Sequence, residues 1–503
     1  MTQQRADQPA RVGSDLDRTL GVPQIVFMVV AMAAPLTVFA GLIPLMLGTG
    51  NGIGTPVDFV IVGVVLGLFT VGYSAMTPEV RNAGAFYSYI QRGLGTTVGL
   101  GAAALAVVTY TLLMVAVSAY LGAAASNVVQ TFAGASVPWW IPAAIGLAAI
   151  GFLGYRNVEL SARVLGVLLV AEIAIVLVVD LAIVLRGGAD GLTAKPLTVD
   201  AFTGGATGTG IMFAVFGFVG FEATAVFRSE AKDPDRTIPR ATYIAVALIA
   251  VIYAFSSWAM IVGLGVDHAV QAAADDPEGL ASGLAAQFVG KAAHDVVQVL
   301  LVTSFFACVL TAHNVVSRYL FSLGRQRALP RVLGEVHPVH RSPSAASLVT
   351  SAVVTVVLAA MAIVGLDPVV EIYGWFGGAG TLGLIVLLTL ASLAVVVHFR
   401  GASRRPASIG PARQRSRRPA SIGAARGRSR RPVSLWAGTI APTIAFACLA
   451  TILALVVGNF ELLIGSRWGA DVFLAIIALA FVGGLGWALA LRRTRPDVFQ
   501  AIE

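Results

Sequence analysis

The chain has 503 residues, 57% of them hydrophobic and 12% charged, with a mean hydropathy of +0.84. Soluble domains carry about one charged residue in four, so this composition excludes a soluble globular protein and defines a polytopic membrane protein. The net charge of +8 raises the question of a nucleic-acid partner, which the placement of the basic residues answers.

The first 20 residues, MTQQRADQPARVGSDLDRTL, are polar and hold no apolar stretch of the kind a cleaved signal peptide needs, so the first crossing itself is expected to direct insertion. Runs of roughly 20 apolar residues, enough for about 30 Å of hydrocarbon, then fall near 22–47, 56–77, 96–125, 138–154, 162–185, 207–228, 241–265, 295–322, 345–365, 369–398, 435–457 and 470–491. Twelve crossings follow, here called helices one to twelve. Only Arg186, Lys195, Lys291 and Arg467 fall in loops after odd-numbered helices, and the other 30 of 34 basic residues lie on the opposite side. By the positive-inside rule that side, with both termini, is cytoplasmic. The basic balance thus reflects topology, and no nucleic-acid partner is implied.

On this map the chain divides into a cytoplasmic tail (1–20), a first set of five helices (21–186), an external loop with a second set of five (187–399), a basic loop (400–434), and helices eleven and twelve with a cytoplasmic C-terminus (435–503). Cys308 and Cys448 lie inside apolar runs, offer no disulfide framework or CxxC metal cluster, and read as packing thiols.

Two helices are interrupted where a membrane helix should be most monotonous. Ala33-Ala34-Pro35-Leu36-Thr37 breaks helix one, because proline removes a backbone donor and clashes with the preceding turn. Phe216-Gly217-Phe218-Val219-Gly220-Phe221-Glu222 breaks helix six with two glycines and a carboxylate. Unwound backbone in hydrocarbon is tolerable only where it meets protein, water or a ligand. A charged residue at that depth is a functional-site candidate. The alternatives are a packed proline kink and a protonated structural Glu. These helices open the two five-helix sets, and matching breaks in two halves point to a midplane binding site.

After helix six the chain continues Ser229-Glu230-Ala231-Lys232-Asp233-Pro234-Asp235-Arg236-Thr237-Ile238-Pro239-Arg240-Ala241. This run, with the helix-six break, resembles helix six and the following loop of the amino acid-polyamine-organocation superfamily of permeases. The resemblance covers about residues 21 to 400. It implies an all-α membrane protein with a five-plus-five inverted-repeat transporter core, discontinuous helices one and six, and two additional C-terminal helices.

Other stretches resemble the same family. Pro78 to Ile90, with Gly84, Tyr87 and Tyr89, is similar to the loop that lines the inner mouth of the pathway, an ordinary turn with interfacial tyrosines being the alternative. Ser161-Ala162-Arg163-Val164 matches helix five of relatives, many of which carry a lysine eight residues beyond that valine. Glu172 stands there in this chain, where it can hold a proton or ligate Na⁺. Asp180, nearer the outer end, is expected to face water. Ser317-Arg318 through Arg325 to Leu329-Pro330, then His337-Pro338, is similar to the inner part of helix eight and the loop beyond it. Family members show Gly-Ser-Gly at the helix-one break, and this chain has Ala-Ala-Pro.

The resemblance implies a substrate site built from Ala33, Ala34, Pro35, Leu36 and Thr37 of helix one and Phe216, Gly217, Phe218, Val219, Gly220 and Phe221 of helix six, with side chains of helices three, eight and ten. Tyr110 is the candidate from helix three, and Tyr373-Gly374-Trp375 from helix ten. In relatives the aromatic six residues before the helix-six Glu caps the substrate, and Phe216 holds that place. Candidate coupling residues are Glu172, Glu222, Thr303, Ser304 and His313, although hydroxyls commonly bond back to their own helix and a lone histidine is commonly a packing group.

Residues 400–434 repeat Ser-Arg-Arg-Pro from Ser403, Ser416 and Ser429. This reads as a basic low-complexity loop that holds the topology and touches anionic lipid. No nucleotide-binding loop, paired-histidine metal spacing or nucleophile beside a base is present, so neither an enzyme nor a cofactor or metal is expected. The expected function is secondary active transport of amino acids or related amines across the plasma membrane by alternating access, with proton coupling. The alternatives are a Na⁺-coupled symporter or exchanger of another small organic solute such as a polyamine, and a non-transporting membrane sensor.

Overall fold

A computed structural model describes residues 20–80, 86–156, 162–222, 224, 231–404 and 433–502. The N-terminal tail, the centre of the loop after helix two, Ser161, Ser229-Glu230 and nearly all of the basic repeat lie outside the described residues. Ten of the twelve apolar runs form helices long and apolar enough to cross a membrane. The other two coincide with shorter apolar helices, Trp140–Arg156 and Thr207–Gly217. Among the described residues, non-helical pairing is confined to one isolated bridge, Leu20 to Ala231, which ties the start of helix one to the loop after helix six.

Burial sorts the helices. The apolar windows of helix one (Val22–Thr49) and helix three (Thr96–Ala133) are 76% and 78% buried, against 22% for helix nine (Ser344–Val364) and helix twelve (Arg467–Thr494). Apolar side chains that face outward without a protein partner need lipid to cover them, so nine and twelve lie at the rim and one and three inside. Helix three packs against helices eight (Lys291–Arg325), ten (Pro368–Gly401) and twelve. Its contact with helix twelve is close because Gly484 meets Gly101 and Ala104, the small-residue packing that substitutes for a hydrophobic drive within lipid.

Helix one stops at Met32 and resumes at Pro35. Ala34 takes a left-handed conformation, φ 46° and ψ 72°, because the residue before a proline is pushed out of helical geometry. That costs an alanine about 1–2 kcal/mol, and Tyr253 of helix seven (Pro234–Leu264) offsets it by donating its hydroxyl to the freed Ala33 carbonyl at 2.7 Å. A π-helical turn, Val38–Leu42, follows directly, and Tyr120 of helix three donates to the Ala40 carbonyl inside it at 3.1 Å.

Helix six is α-helical over Thr207–Gly217 and is interrupted there, inside the apolar run of 207–228, with Phe221 and Glu222 in a 3-10 turn beyond the break. Phe218 to Gly220 form a turn and Gly220 has φ 106°, which only glycine adopts without strain. A Cβ on Gly220 would lie 3.1 Å from the Cβ of Met32, the last residue before the helix-one break. The two interruptions therefore meet.

Candidate functional site

Where the breaks meet, the bundle encloses a cavity of about 110 Å³. One water needs about 10–15 Å³ on this measure, so the space suits several waters or one small organic solute. Ala33, Ala34 and Thr37 of helix one, Tyr110 of helix three, and Phe216, Gly217, Val219, Gly220 and Glu222 of helix six line it. Pro35, Leu36, Phe218 and Phe221 do not line it. Phe218 packs toward Tyr253, with ring centroids 6.2 Å apart, and Phe221 packs on Phe69 at 5.9 Å. These four shape the breaks from behind.

Among the described residues that line it, Glu222 is the only carboxylate, and no lysine, arginine or histidine accompanies it. Tyr110 donates to its Oε1 at 2.8 Å and the Gly220 backbone N–H to its Oε2 at 3.0 Å. The unwound turn thus holds its own carboxylate at the wall of the cavity. Opposite stand aromatic rings: Phe216 and Tyr373 of helix ten, centroids 5.4 Å apart, both line the space. Tyr373 in turn meets Tyr120 at 5.0 Å, and Tyr120 stacks on Phe305 at 4.4 Å. Tyr120 also lines a second cavity, of about 390 Å³, with Ala40, Asn127 and Glu278. An aromatic cluster thus separates the two spaces.

The proposed coupling residues divide. Ser304 donates to Glu172 Oε2 at 2.9 Å, and with its proton so committed it accepts from Thr37, 2.8 Å away. Glu172 is therefore joined through two hydroxyls to the cavity wall. Thr303 is elsewhere, donating back to the Leu300 carbonyl at 2.8 Å. His313 is fully buried, with Nε2 3.0 Å from Ser351 Oγ and 3.3 Å from the Ser347 carbonyl, so it ties helix eight to helix nine. Asp180 corrects the sequence expectation of a water-facing group: it is fully buried and accepts from Ser256 of helix seven. Cys308 is a free thiol. It lines the cavity, within 4.0 Å of Thr37.

The sequence does not single out Met32, Val38, Leu42, Leu113, Val117, Ala312 or Val315, which with Thr311 complete the wall. Helices apolar on every face carry no periodicity that marks the inward one. Tyr120 and Tyr253 left a signal: a tyrosine hydroxyl inside an apolar run must find a partner, and both find the carbonyls that the helix-one irregularities expose.

Broken helices that meet at a cavity inside an apolar bundle are a membrane transporter architecture. A family model described as "Amino acid permease" matches residues 20–485, and the chain belongs to that family, within the amino acid-polyamine-organocation superfamily. It is a multi-pass membrane transporter and not an enzyme. The chain is 24% identical to the low-affinity putrescine importer PlaP of Escherichia coli over 399 residues, covering 76% of this chain and 82% of that protein. It is 26% identical to an uncharacterized transporter of Mycobacterium tuberculosis, covering 70% and 76%. With the branched-chain amino acid permease BcaP of Bacillus subtilis it shares 23% identity, covering 60% and 66%.

Proposed function

We propose that this permease moves a small solute bearing an ammonium group, an amino acid or a related amine, across the plasma membrane by alternating access. The observation that carries the reading is the cavity at the paired breaks, with one carboxylate, three aromatic rings and no basic side chain among the described residues that line it. Glu222 attracts the ammonium, while Phe216 and Tyr373 cover the alkyl stem or face the cation with their π systems. The putrescine importer among the relatives supports the amine side of this class, and the branched-chain amino acid permease the amino acid side.

Helices one to five and six to ten act as two inverted repeats, each opening on a broken helix, with twelve crossings and both termini in the cytoplasm. Rocking of the repeats about the central cavity exposes it to either side in turn. Proton coupling runs through Glu172, whose link to the cavity wall by way of Ser304 and Thr37 lets its protonation state bias the helix-one break. The same oxygens favour one second reading, a Na⁺ ion held between helices one, five and eight, because hard cations take oxygen ligands. Binding of free amino acids and of aliphatic diamines to the purified protein tests the substrate class. Saturable binding that Glu222→Gln abolishes is expected, and binding only of solutes without an ammonium group would overturn the reading.

A further inference from the structure

Away from the central cavity, at the end of helix one where helix two begins, another carboxylate is enclosed. Asp58 lies in the first turn of helix two (Thr55–Met76) and is fully buried, and Asn51, in the turn after helix one, is 1% exposed. Asn51 Nδ2 donates to Asp58 Oδ1 at 3.0 Å. Asp58 Oδ2 and Asn51 Oδ1 have no partner, and each exposes under 1 Å². A water-sized molecule therefore reaches neither oxygen, and a sodium ion with its ligands fits no better.

The start of helix six closes the site. A Cβ on Gly210 would lie 2.4 Å from Asp58 Oδ2 and 2.5 Å from the Asn51 Cβ, and one on Gly205 would lie 2.8 Å from the Asn51 carbonyl. Ala206 N–H donates to the Gly50 carbonyl at 3.2 Å, so the three elements are stitched as well as packed. Lys195 and Asp200, on the segment packed against this end of helix two, and Glu461 of helix eleven (Trp436–Ile464) are the charged groups at this level among the described residues. Lys195 turns to Asp267 at 2.9 Å, and Asp200 and Glu461 are exposed. Glu79, Asp235, Arg236, Arg240, His398 and Arg400, on other elements that touch helix two, belong to its far end.

An anion in this setting would have one hydrogen bond, no counter-ion and no water. The positive end of helix two lowers that cost but supplies no donor to Oδ2. A proton is the one cation that needs no room. The Asn51 amide serves that form equally, because turned over it accepts from the acid across the same 3.0 Å. Ionisation, in contrast, requires water at Oδ2; a cavity of about 540 Å³ lined by Asn51, Gly204 and Gly205 lies alongside, and movement of the start of helix six off helix two opens Oδ2 to it.

We propose that Asp58 is a proton-binding site of this permease, protonated while the end of helix one and the starts of helices two and six are packed together and ionised when they part. Since helices one and six are the broken helices, proton release here accompanies opening of the cavity toward that side, which rests on the alternating-access reading above. The bookkeeping is one proton: the carboxylic acid gives it to water as the site hydrates and takes it back as the site closes.

The test uses the full-length protein in lipid vesicles and infrared difference spectroscopy of carboxyl groups on acidification. Wild type should show a carboxylic-acid C=O band that Asp58→Asn removes and Glu172→Gln retains. Gly210→Ala, whose methyl forces helix six away from Oδ2, should move that band's titration toward lower pH. Should Asp58→Asn fail to fold, the shift in Gly210→Ala still decides the matter. A band unchanged in Asp58→Asn, or a carboxylate signal at this residue that responds to Na⁺ and not to pH, would overturn the proposal. If the band behaves as expected while no proton gradient drives uptake, the Asp58 assignment stands and the coupling reading falls.

Discussion

Phe216→Ala is the sharpest perturbation of the substrate site. The ring is 8% exposed, stands 5.4 Å from Tyr373, and leaves no space for a Cβ on Gly377, which would approach its Cε1 to 2.7 Å. Truncating a buried phenylalanine costs about 3–5 kcal/mol of stability. Here the lower end applies, since one side of the ring already borders the 110 Å³ cavity and has fewer partners to lose. Binding loses a desolvated cation–π contact and apolar cover together worth about 2 kcal/mol, or roughly 30-fold in Kd. Equilibrium binding of the substrate found in the screen, run beside thermal unfolding of the same preparations, separates the two effects. Phe216→Tyr, which keeps the ring, should bind within about threefold of wild type. If Phe216→Ala bound with wild-type affinity while folded, the ring would be packing alone and the capping role would be refuted.

Two further outcomes follow from geometry. Tyr253→Phe strands the Ala33 carbonyl at the helix-one break, a loss of about 1–3 kcal/mol, so its unfolding midpoint should fall, and an unchanged midpoint would show that the break needs no such support. Glu278, in the loop between helices seven and eight, has its carboxyl raised above the ordinary 4.5 by burial, with the hydrogen bond from Asn127 at 2.6 Å pulling the other way. The stability it contributes is full below about 4.5 and is lost as pH rises through its native value, so Glu278→Gln should flatten the rise in unfolding temperature on acidification, and an identical pH profile would contradict the assignment.

Much of the architecture was legible because membrane solvent writes large signals. Apolar length marked the ten long apolar helices and the two shorter ones, and Pro35, Gly217, Gly220 and Glu222 marked the breaks, since each is costly in hydrocarbon unless used. The Glu172 position was legible only by resemblance, and its partner Ser304 emerged from the rotation of helix eight, which its sequence does not fix. The same holds for Thr303, one residue away, whose hydroxyl turns back on its own helix. Asp180 misled because depth along a helix was read without its facing direction: the side chain points at Ser256 and not at water. Gly210 is far in the chain from Asn51 and Asp58 and none of the three is unusual in its own segment, so only the fold brings helix six onto that pair.

We propose proton-driven transport through the cavity at the paired breaks. It is tested most directly by uptake into vesicles of the amine or amino acid found in the screen, with pH and Na⁺ gradients imposed separately, in wild type, Glu172→Gln and Glu222→Gln. The account predicts accumulation driven by the pH gradient alone, retained exchange but lost accumulation in Glu172→Gln, and loss of both in Glu222→Gln. Accumulation driven only by Na⁺, or equal in all three proteins, would contradict it.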